Sequence, residues 1–210
     1  MDMNKTKIAV LVSGGGTNLQ ALIDAEQRGE LGNGVISLVI ASKPDVYALE
    51  RAKKHGIASK VLARKEYDSI ASYSKALADA MEAENIDLVV LAGFLTIIDE
   101  QVYERFPNRI LNVHPALIPS FCGMGYYGIH VHEKAIEYGV KLSGATVHFV
   151  EADVDGGAII MQRAVPVEPN DTPESLQARI LKEEHKMLPE CVKLLCQGKV
   201  RKVGRKVYID

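Results

Sequence analysis

Residues 7–12, KIAVLV, and the residues directly after them, SGGGTN at 13–18, decide the fold. The first segment is a short and almost continuous apolar run rich in β-branched residues, which is typical of a strand buried on both faces. The glycines predict a tight turn. Apolar residues then recur at helical spacing over residues 17–28, until Gly29. This stretch therefore predicts a strand, a turn at its carboxyl end and a helix.

The same alternation continues along the chain. Further strands are predicted at 35–41, 60–62, 86–92 and 110–113, and helices at 46–55, 67–84 and 129–138. Two consecutive strands, 146–150 and 158–165, precede a long helix at 173–197 and a hairpin at 200–209. Strands that alternate with helices form right-handed βαβ units. We therefore predict an α/β fold, an open and mostly parallel sheet with helices on both faces and a mixed end.

Composition and charge exclude several classes of protein. A chain of 210 residues, with 47% hydrophobic and 25% charged residues, is typical of one globular domain rather than a disordered or fibrous protein. The net charge of −2 and the pI near 6.3 argue against binding to nucleic acid. The apolar runs are too short to span a membrane, and residues 1–7 lack the pattern of a signal peptide. The scattered Cys122, Cys191 and Cys196 predict free thiols and a cytoplasmic location.

The glycine turn is a candidate anion site. The helix that starts near Thr17 presents unpaired backbone amides, which suit a phosphate group. The alternative is a tight turn without a ligand. A dinucleotide fingerprint is excluded because Leu19 stands at the third glycine position, and a Walker loop is excluded because no Gly-Lys-Ser/Thr occurs. What remains is a monophosphate site formed by Gly16, Thr17 and Asn18.

The strand at 110–113 ends in Asn112-Val113-His114-Pro115. Residues two apart on a strand point to the same side, so Asn112 and His114 face one way at a carboxyl-terminal strand end. In open α/β sheets ligands bind beyond these ends. An amide and an imidazole side by side suit the polarisation of a carbonyl and the stabilisation of an oxyanion. The alternative is two polar groups that cap the end of a strand.

An acidic turn, EADVDGG at 151–157, follows the strand at 146–150. A calcium loop is excluded because position twelve, counted from Glu151, is Gln162 rather than a glutamate. A carboxylate here instead suits the role of orienting His114 and raising its pKa. The alternative is a solvated acidic turn.

The remaining polar groups give weaker signals. His130 and His132 have no third ligand in sequence, so we expect no metal site. His55 and His185 are expected at the surface. The basic tail is expected to be the solvated face of a hairpin.

Five motifs together carry a resemblance: SGGGTNLQ at 13–20, LAGFLTII at 91–98, NVHPALIPS at 112–120, GATVHFVEADVDGG at 144–157 and EEHKMLP at 183–189. In order and over nearly the whole chain they resemble the folate-dependent glycinamide ribonucleotide transformylases, enzymes of purine synthesis. The resemblance implies a Rossmann-like formyltransferase sheet. It also implies 10-formyltetrahydrofolate as formyl-donor cosubstrate, glycinamide ribonucleotide as acceptor and no metal.

The resemblance also implies roles for individual residues. Asn112, His114 and Asp155 match the catalytic trio, since the Gly-Gly pair aligns with Asp155 rather than with Asp153. Gly16, Thr17 and Asn18 match the substrate-phosphate site, and Glu184 matches a carboxylate that contacts the ribonucleotide. The pteridine is expected in an apolar slot beside Leu91. Its expected contacts are Leu95, Thr96, Ile97, Ile98, Glu151, Ala152, Asp153 and Val154.

Within a single domain, 1–210, residues 1–100 are expected to form the ribonucleotide-phosphate half and residues 101–210 the folate and catalytic half. The chain departs from the family in the longer segment SFCGMGYYGIHVH at 120–132, and in Thr96 where relatives often carry arginine. We expect a monomer or a homodimer.

Three other functions each fit part of the sequence. A formyltetrahydrofolate deformylase shares the trio, but it would carry an extra amino-terminal domain, which we do not expect before Lys7, and would not need a phosphate loop. A methionyl-tRNA formyltransferase would carry a basic carboxyl-terminal domain, which we do not expect beyond Asp210. A nucleotide-binding module without enzymatic activity leaves the convergence of Asn112, His114 and Asp155 unexplained.

Overall fold

Seven strands form one sheet. In chain order they are β1 Thr6–Val12, β2 Gly34–Ala41, β3 Ala58–Val61, β4 Leu88–Leu91, β5 Ile110–His114, β6 Leu142–Phe149 and β7 Ile159–Pro166. Their spatial order is β3-β2-β1-β4-β5-β6-β7. The first five strands are parallel, whereas β6 is antiparallel to β5 and β7 is antiparallel to β6. The predicted mostly parallel sheet with a mixed end is confirmed.

Helices cover both faces of this sheet, as predicted. They are α1 Thr17–Gln27, α2 Tyr47–Lys54, α3 Ile70–Ala83, α4 Glu100–Tyr103, α5 Ile129–Tyr138 and α6 Pro173–Cys196, with a short 3-10 helix at Arg64–Glu66. Alternate residues of β1 enter two separate cores because neighbouring side chains of a strand point to opposite faces. Val10 packs in the core below α1, α2, α5 and α6, and Leu11 packs in the core below α3 and α4.

Some predicted boundaries were wrong. The helix predicted from residue 67 begins at Ile70, because the Ser69 side chain accepts a hydrogen bond from the backbone amide of Ser72 and caps the first turn. The strand predicted at 60–62 lies at Ala58–Val61. The short helix α4 was not predicted, and it is capped by the Asp99 side chain. The tail forms the predicted hairpin, with β8 at Val200–Val203 and β9 at Lys206–Ile209.

The computed structural model describes residues 5–210, so most of the amino-terminal segment in which no signal peptide was expected lies outside the described residues. In the part described, no helix is both long and apolar enough to cross a membrane. Strands β1, β4 and β5 are neighbours, and their carboxyl ends lie at one edge of the sheet. The strand order reverses between β1 and β4, which is where open α/β sheets bind their ligands.

Candidate active site

Strand β5 delivers two polar side chains to the carboxyl edge of the sheet. Asn112 pairs with His148 of β6, and His114 pairs with Thr146. The His114 side chain is only 5% exposed. Pro115 follows at once and supplies no amide hydrogen that would extend the ladder. The predicted placement of Asn112 and His114 on one side of the strand end agrees with this register.

Asp155 reaches the same place from the loop between β6 and β7. The loop is closed at its base by a hydrogen bond from the Phe149 amide to the Ala158 carbonyl, 2.9 Å. Within it the Gly156 amide donates to the Asp153 carbonyl, also 2.9 Å, so the chain reverses sharply. Asp155 itself has φ of 55°, a left-handed conformation that aspartate tolerates better than most residues. The turn buries the Asp155 side chain to 10% exposure and leaves Asp153 exposed.

The three predicted residues converge. Asn112 Nδ2 donates to Asp155 Oδ1 at 3.3 Å, and His114 Nδ1 lies 3.5 Å from Asp155 Oδ2. Chain segments from two different strand ends thus bring an amide, an imidazole and a carboxylate into one cluster. The geometry provides a polarising donor and a proton-carrying pair in a largely buried setting.

His148 is a fourth member of the cluster that sequence reasoning missed. Its Nε2 lies 3.1 Å from Asn112 Nδ2 and 3.7 Å from Asp155 Oδ1. Its Nδ1 lies 2.8 Å from the Phe149 carbonyl, which only accepts, so Nδ1 carries the hydrogen. Nε2 then accepts from Asn112 Nδ2, which can only donate. The signal in the sequence is the spacing of two residues between Thr146 and His148, which places both side chains on one side of β6. These two residues pair with His114 and Asn112 of β5.

The long segment at 120–132 contributes backbone groups to the cluster. His114 Nε2 donates to the Phe121 carbonyl at 2.8 Å, and the Gly123 amide donates to Asp155 Oδ2 at 2.9 Å. The Phe121 ring is anchored edge-on against Tyr126 and Tyr138, with centroids 6.2 and 6.0 Å away. This segment therefore fixes the tautomer of His114 and holds one oxygen of Asp155.

Burial and charge act against each other in this cluster. Burial lowers the pKa of His114, although the Asp155 carboxylate and the Phe121 carbonyl act in the opposite direction. Burial alone would raise the pKa of Asp155. The nearby His148 ring, the charge of His114 and the hydrogen bond from the Gly123 amide nevertheless hold it below its ordinary value. Asp155 therefore favours its ionised form at neutral pH, and His114 favours its neutral form.

The glycine turn forms the amino-terminal end of α1, as predicted. Gly16 precedes the helix with φ of 71°, and no side chain caps the first turn among the residues described. The exposed Thr17 and the backbone amides of that turn are therefore open to an anion. Arg51, which sequence reasoning missed, donates from Nε to the Gly15 carbonyl at 2.8 Å and holds the turn in place.

Asn18 and Glu184 form a buried pair beside this turn. Asn18 Nδ2 donates to Glu184 Oε2 at 2.7 Å, and each residue is 7% exposed. One hydrogen of the Asn18 side-chain amide is thus bonded to a carboxylate. Burial raises the pKa of Glu184, with the Asn18 hydrogen bond acting against it. His185, predicted at the surface, is half-buried and lines a cleft of about 380 Å³ together with Thr17.

The segment after β4 exposes apolar side chains at the same edge of the sheet. Leu95 is 54% exposed and Ile97 is 41% exposed, whereas Thr96 and Ile98 are partly buried. Val154, in the acidic loop, is 43% exposed. Two separate segments expected to hold the pteridine therefore present apolar surface to solvent.

The basic tail is not only a solvated face, which corrects the prediction. Lys202 is 21% exposed and contacts the Glu151 carboxylate, and its Nζ donates to Asn108 Oδ1 at 3.0 Å. Arg205, in the turn of the hairpin, donates to the Gly156 carbonyl at 3.0 Å. The hairpin thus lies against the loop that carries Asp155.

The chain is similar to known proteins over nearly its whole length. Residues 6–192 match the family model described as formyl transferase. The phosphoribosylglycinamide formyltransferase of Haemophilus influenzae is 40% identical over 204 residues, which are 97% of this chain and 93% of that protein. Two solved structures are similar throughout. Glycinamide ribonucleotide transformylase 1 from Symbiobacterium toebii has a TM-score of 0.93 and 43% identity, covering 98% of this chain and 94% of the other. The phosphoribosylglycinamide formyltransferase from Anaplasma phagocytophilum has a TM-score of 0.87 and 37% identity, covering 98% and 95%.

Proposed function

The chain belongs to the formyl transferase family, and from this premise we propose that it transfers the formyl group of 10-formyltetrahydrofolate to the amine of glycinamide ribonucleotide, a step of purine synthesis. A relative that is 40% identical, and that is matched over 93% of its own length, carries the name of this activity. The observation that carries the proposal is the convergence of Asn112, His114 and Asp155 at the sheet edge that also bears the phosphate-type turn.

The cluster suits attack of an amine on a formyl carbon. The attack places negative charge on the formyl oxygen, and Asn112 is the donor that stabilises it. In the structure Asn112 Nδ2 donates to two acceptors, so one of these bonds is exchanged when the substrate oxygen arrives. The oxyanion adds to the field of Asp155 and raises the proton affinity of His114. His114 takes up a proton from solvent, donates to Asp155 and the Phe121 carbonyl, and so offsets the new charge. It returns that proton to solvent when the tetrahedral intermediate collapses.

Asp155 also serves proton transfer. The attacking amine loses a proton and the departing folate nitrogen gains one. The ionised Asp155 carboxylate is the base that relays this proton, through a water molecule. The reaction needs no covalent intermediate on the protein.

The two substrates occupy separate parts of the edge. The acceptor phosphate binds the amides of Gly16, Thr17 and Asn18, and Glu184 receives hydrogen bonds from the rest of the ribonucleotide. The pteridine lies between the segment Leu95–Ile98 and the loop Glu151–Val154, whose exposed apolar side chains support a flat apolar ligand. Because Thr96 replaces the frequent arginine, backbone groups recognise the ring edge. We place the reaction in the cytoplasm, where the three free cysteines remain reduced.

A formyl-transfer assay with several acceptors tests the proposal. Glycinamide ribonucleotide should be formylated, whereas methionyl-tRNA should not, and formate should not be released in the absence of an acceptor. Glycinamide riboside, which lacks the phosphate, should show a much higher KM than the ribonucleotide. Similar kcat/KM values with the riboside and the ribonucleotide would mean that the glycine loop is only a structural turn and does not bind the phosphate. Rapid formate release without acceptor would favour a deformylase.

A further inference from the structure

Ser13 links the two loops that the proposed function assigns to the two substrates. It is the first residue after β1, at the start of the phosphate-type turn, and it is 7% exposed. Its Oγ accepts a hydrogen bond from the backbone amide of Leu95 at 2.9 Å. Its own amide donates to the Gly93 carbonyl at 3.2 Å. Two hydrogen bonds therefore connect Ser13, in the loop proposed to bind glycinamide ribonucleotide (the acceptor loop, 13–18), to the segment that leads into the proposed folate site (the donor loop, 93–98).

A second serine completes the link. Ser13 Oγ lies 2.6 Å from Ser42 Oγ, and Ser42 is 4% exposed at the end of β2. The Ser42 amide in turn donates to the Val12 carbonyl at 3.0 Å. The ends of β1, β2 and β4 are thus joined by side-chain as well as backbone hydrogen bonds.

The link lies where β1 and β4 end and their loops begin. Ladder pairing between β1 and β4 runs to Leu11 and Leu91, and the hydrogen bonds of Ser13 extend the contact between the two segments beyond it. This is the crevice where the strand order reverses and ligands bind in open α/β sheets. A buried hydroxyl that satisfies a loop amide is costly to remove, because the amide is then left without a partner.

We propose that Ser13 is a positioning residue that fixes the spacing between the acceptor loop and the donor loop, and so the alignment of amine and formyl carbon. The inference rests on the proposed function and adds a residue to it. A bimolecular transfer depends steeply on such alignment, since a misplacement of about 1 Å can cost about a hundredfold in rate. Because the same residue touches both loops, it also couples binding of one substrate to binding of the other.

The test compares Ser13→Ala with a matched serine. Ser143 is also buried, at 2% exposure, and its Oγ has no hydrogen-bond partner among the described residues, so Ser143→Ala removes a buried hydroxyl without breaking a link. Ser13→Ala should lower kcat about tenfold or more. It should also weaken the mutual effect of glycinamide ribonucleotide and tetrahydrofolate on each other's Kd, measured by calorimetry. Ser143→Ala should change neither quantity.

Ser42→Ala provides a milder second variant, because Ser13 then keeps its bond from Leu95. It should lower kcat and the coupling by intermediate amounts. If Ser13→Ala does not fold, Ser42→Ala takes its place in the comparison. A smaller folded fraction lowers kcat but leaves the coupling between the two Kd values unchanged. The coupling therefore distinguishes a positioning role of Ser13 from a loss of folded protein. The inference is overturned if the Ser13 and Ser42 variants match Ser143→Ala in both kcat and coupling. An inactive wild-type protein would instead overturn the proposed function.

Discussion

The Nδ1 atom of His114 lies 3.5 Å from Oδ2 of Asp155, while its Nε2 donates to the Phe121 carbonyl. A neutral ring in this tautomer turns a lone pair toward a carboxylate, an arrangement that becomes favourable when Nδ1 is protonated. The pair is therefore ready to take up a proton when negative charge develops on a bound substrate.

His114→Ala should lower kcat about a hundredfold or more, because it removes the group that offsets the oxyanion. His55→Ala is the matched control, since His55 contacts Gln20 and Gln27 and lies outside the cluster. Steady-state kinetics with both substrates provide the measurement. Near-normal turnover of the His114 variant would remove this residue from the mechanism.

Asp155→Asn should lower kcat by at least as much, because the neutral amide neither attracts a proton to His114 nor relays one from the amine. Asp153→Asn makes the same change in the same loop at an exposed position, and its effect on kcat should be much smaller. A comparison of the two kcat values decides between a catalytic carboxylate and a general effect of loop charge. Equal losses would contradict the assignment to Asp155.

Gly15→Ala adds a methyl group to the turn that the phosphate approaches, so it should raise KM for the acceptor about tenfold. The change in kcat should be small, because phosphate contacts are made equally in ground and transition states. An added Cβ at Gly15 meets no atom within 4 Å, so the fold should tolerate it. At Gly16 the Cβ would lie 2.7 Å from the Ala48 Cβ, with φ of 71°. Gly16→Ala should therefore lower Tm. An unchanged acceptor KM in the Gly15 variant would argue against a phosphate at this turn.

Glu184→Gln should raise Tm at pH 7, because the amide keeps this buried position uncharged. Burial raises the pKa of Glu184, so the folded state prefers the protonated carboxyl. The penalty is complete above the folded pKa and fades as the pH falls through it toward the ordinary value of 4.5. The gain should therefore shrink at low pH, while acceptor KM rises at pH 7. Thermal unfolding of both proteins across this range checks the sign, and a gain that grows in acid would refute it.

Sequence patterns predicted much of this molecule because they report on local physics. The apolar run at 7–12 and the helical spacing after it give the strand, turn and helix, since burial on two faces demands continuous apolar residues. The pairing of Asn112 with His114 on one side followed from the period of a strand. The choice of Asp155 over Asp153 came from the resemblance of the Gly-Gly pair, and the loop geometry agrees with it.

Tertiary structure alone decided which groups meet. His148 joins the cluster through the antiparallel register of β5 and β6, Phe121 and Gly123 join through a long loop, and Ser13 meets Leu95 only because β1 and β4 are neighbours. Residues far apart in the chain carry no periodic signal of their contact. Their contacts depend on strand order, register and loop path. These are determined when the whole sheet forms and its two faces pack against the helices.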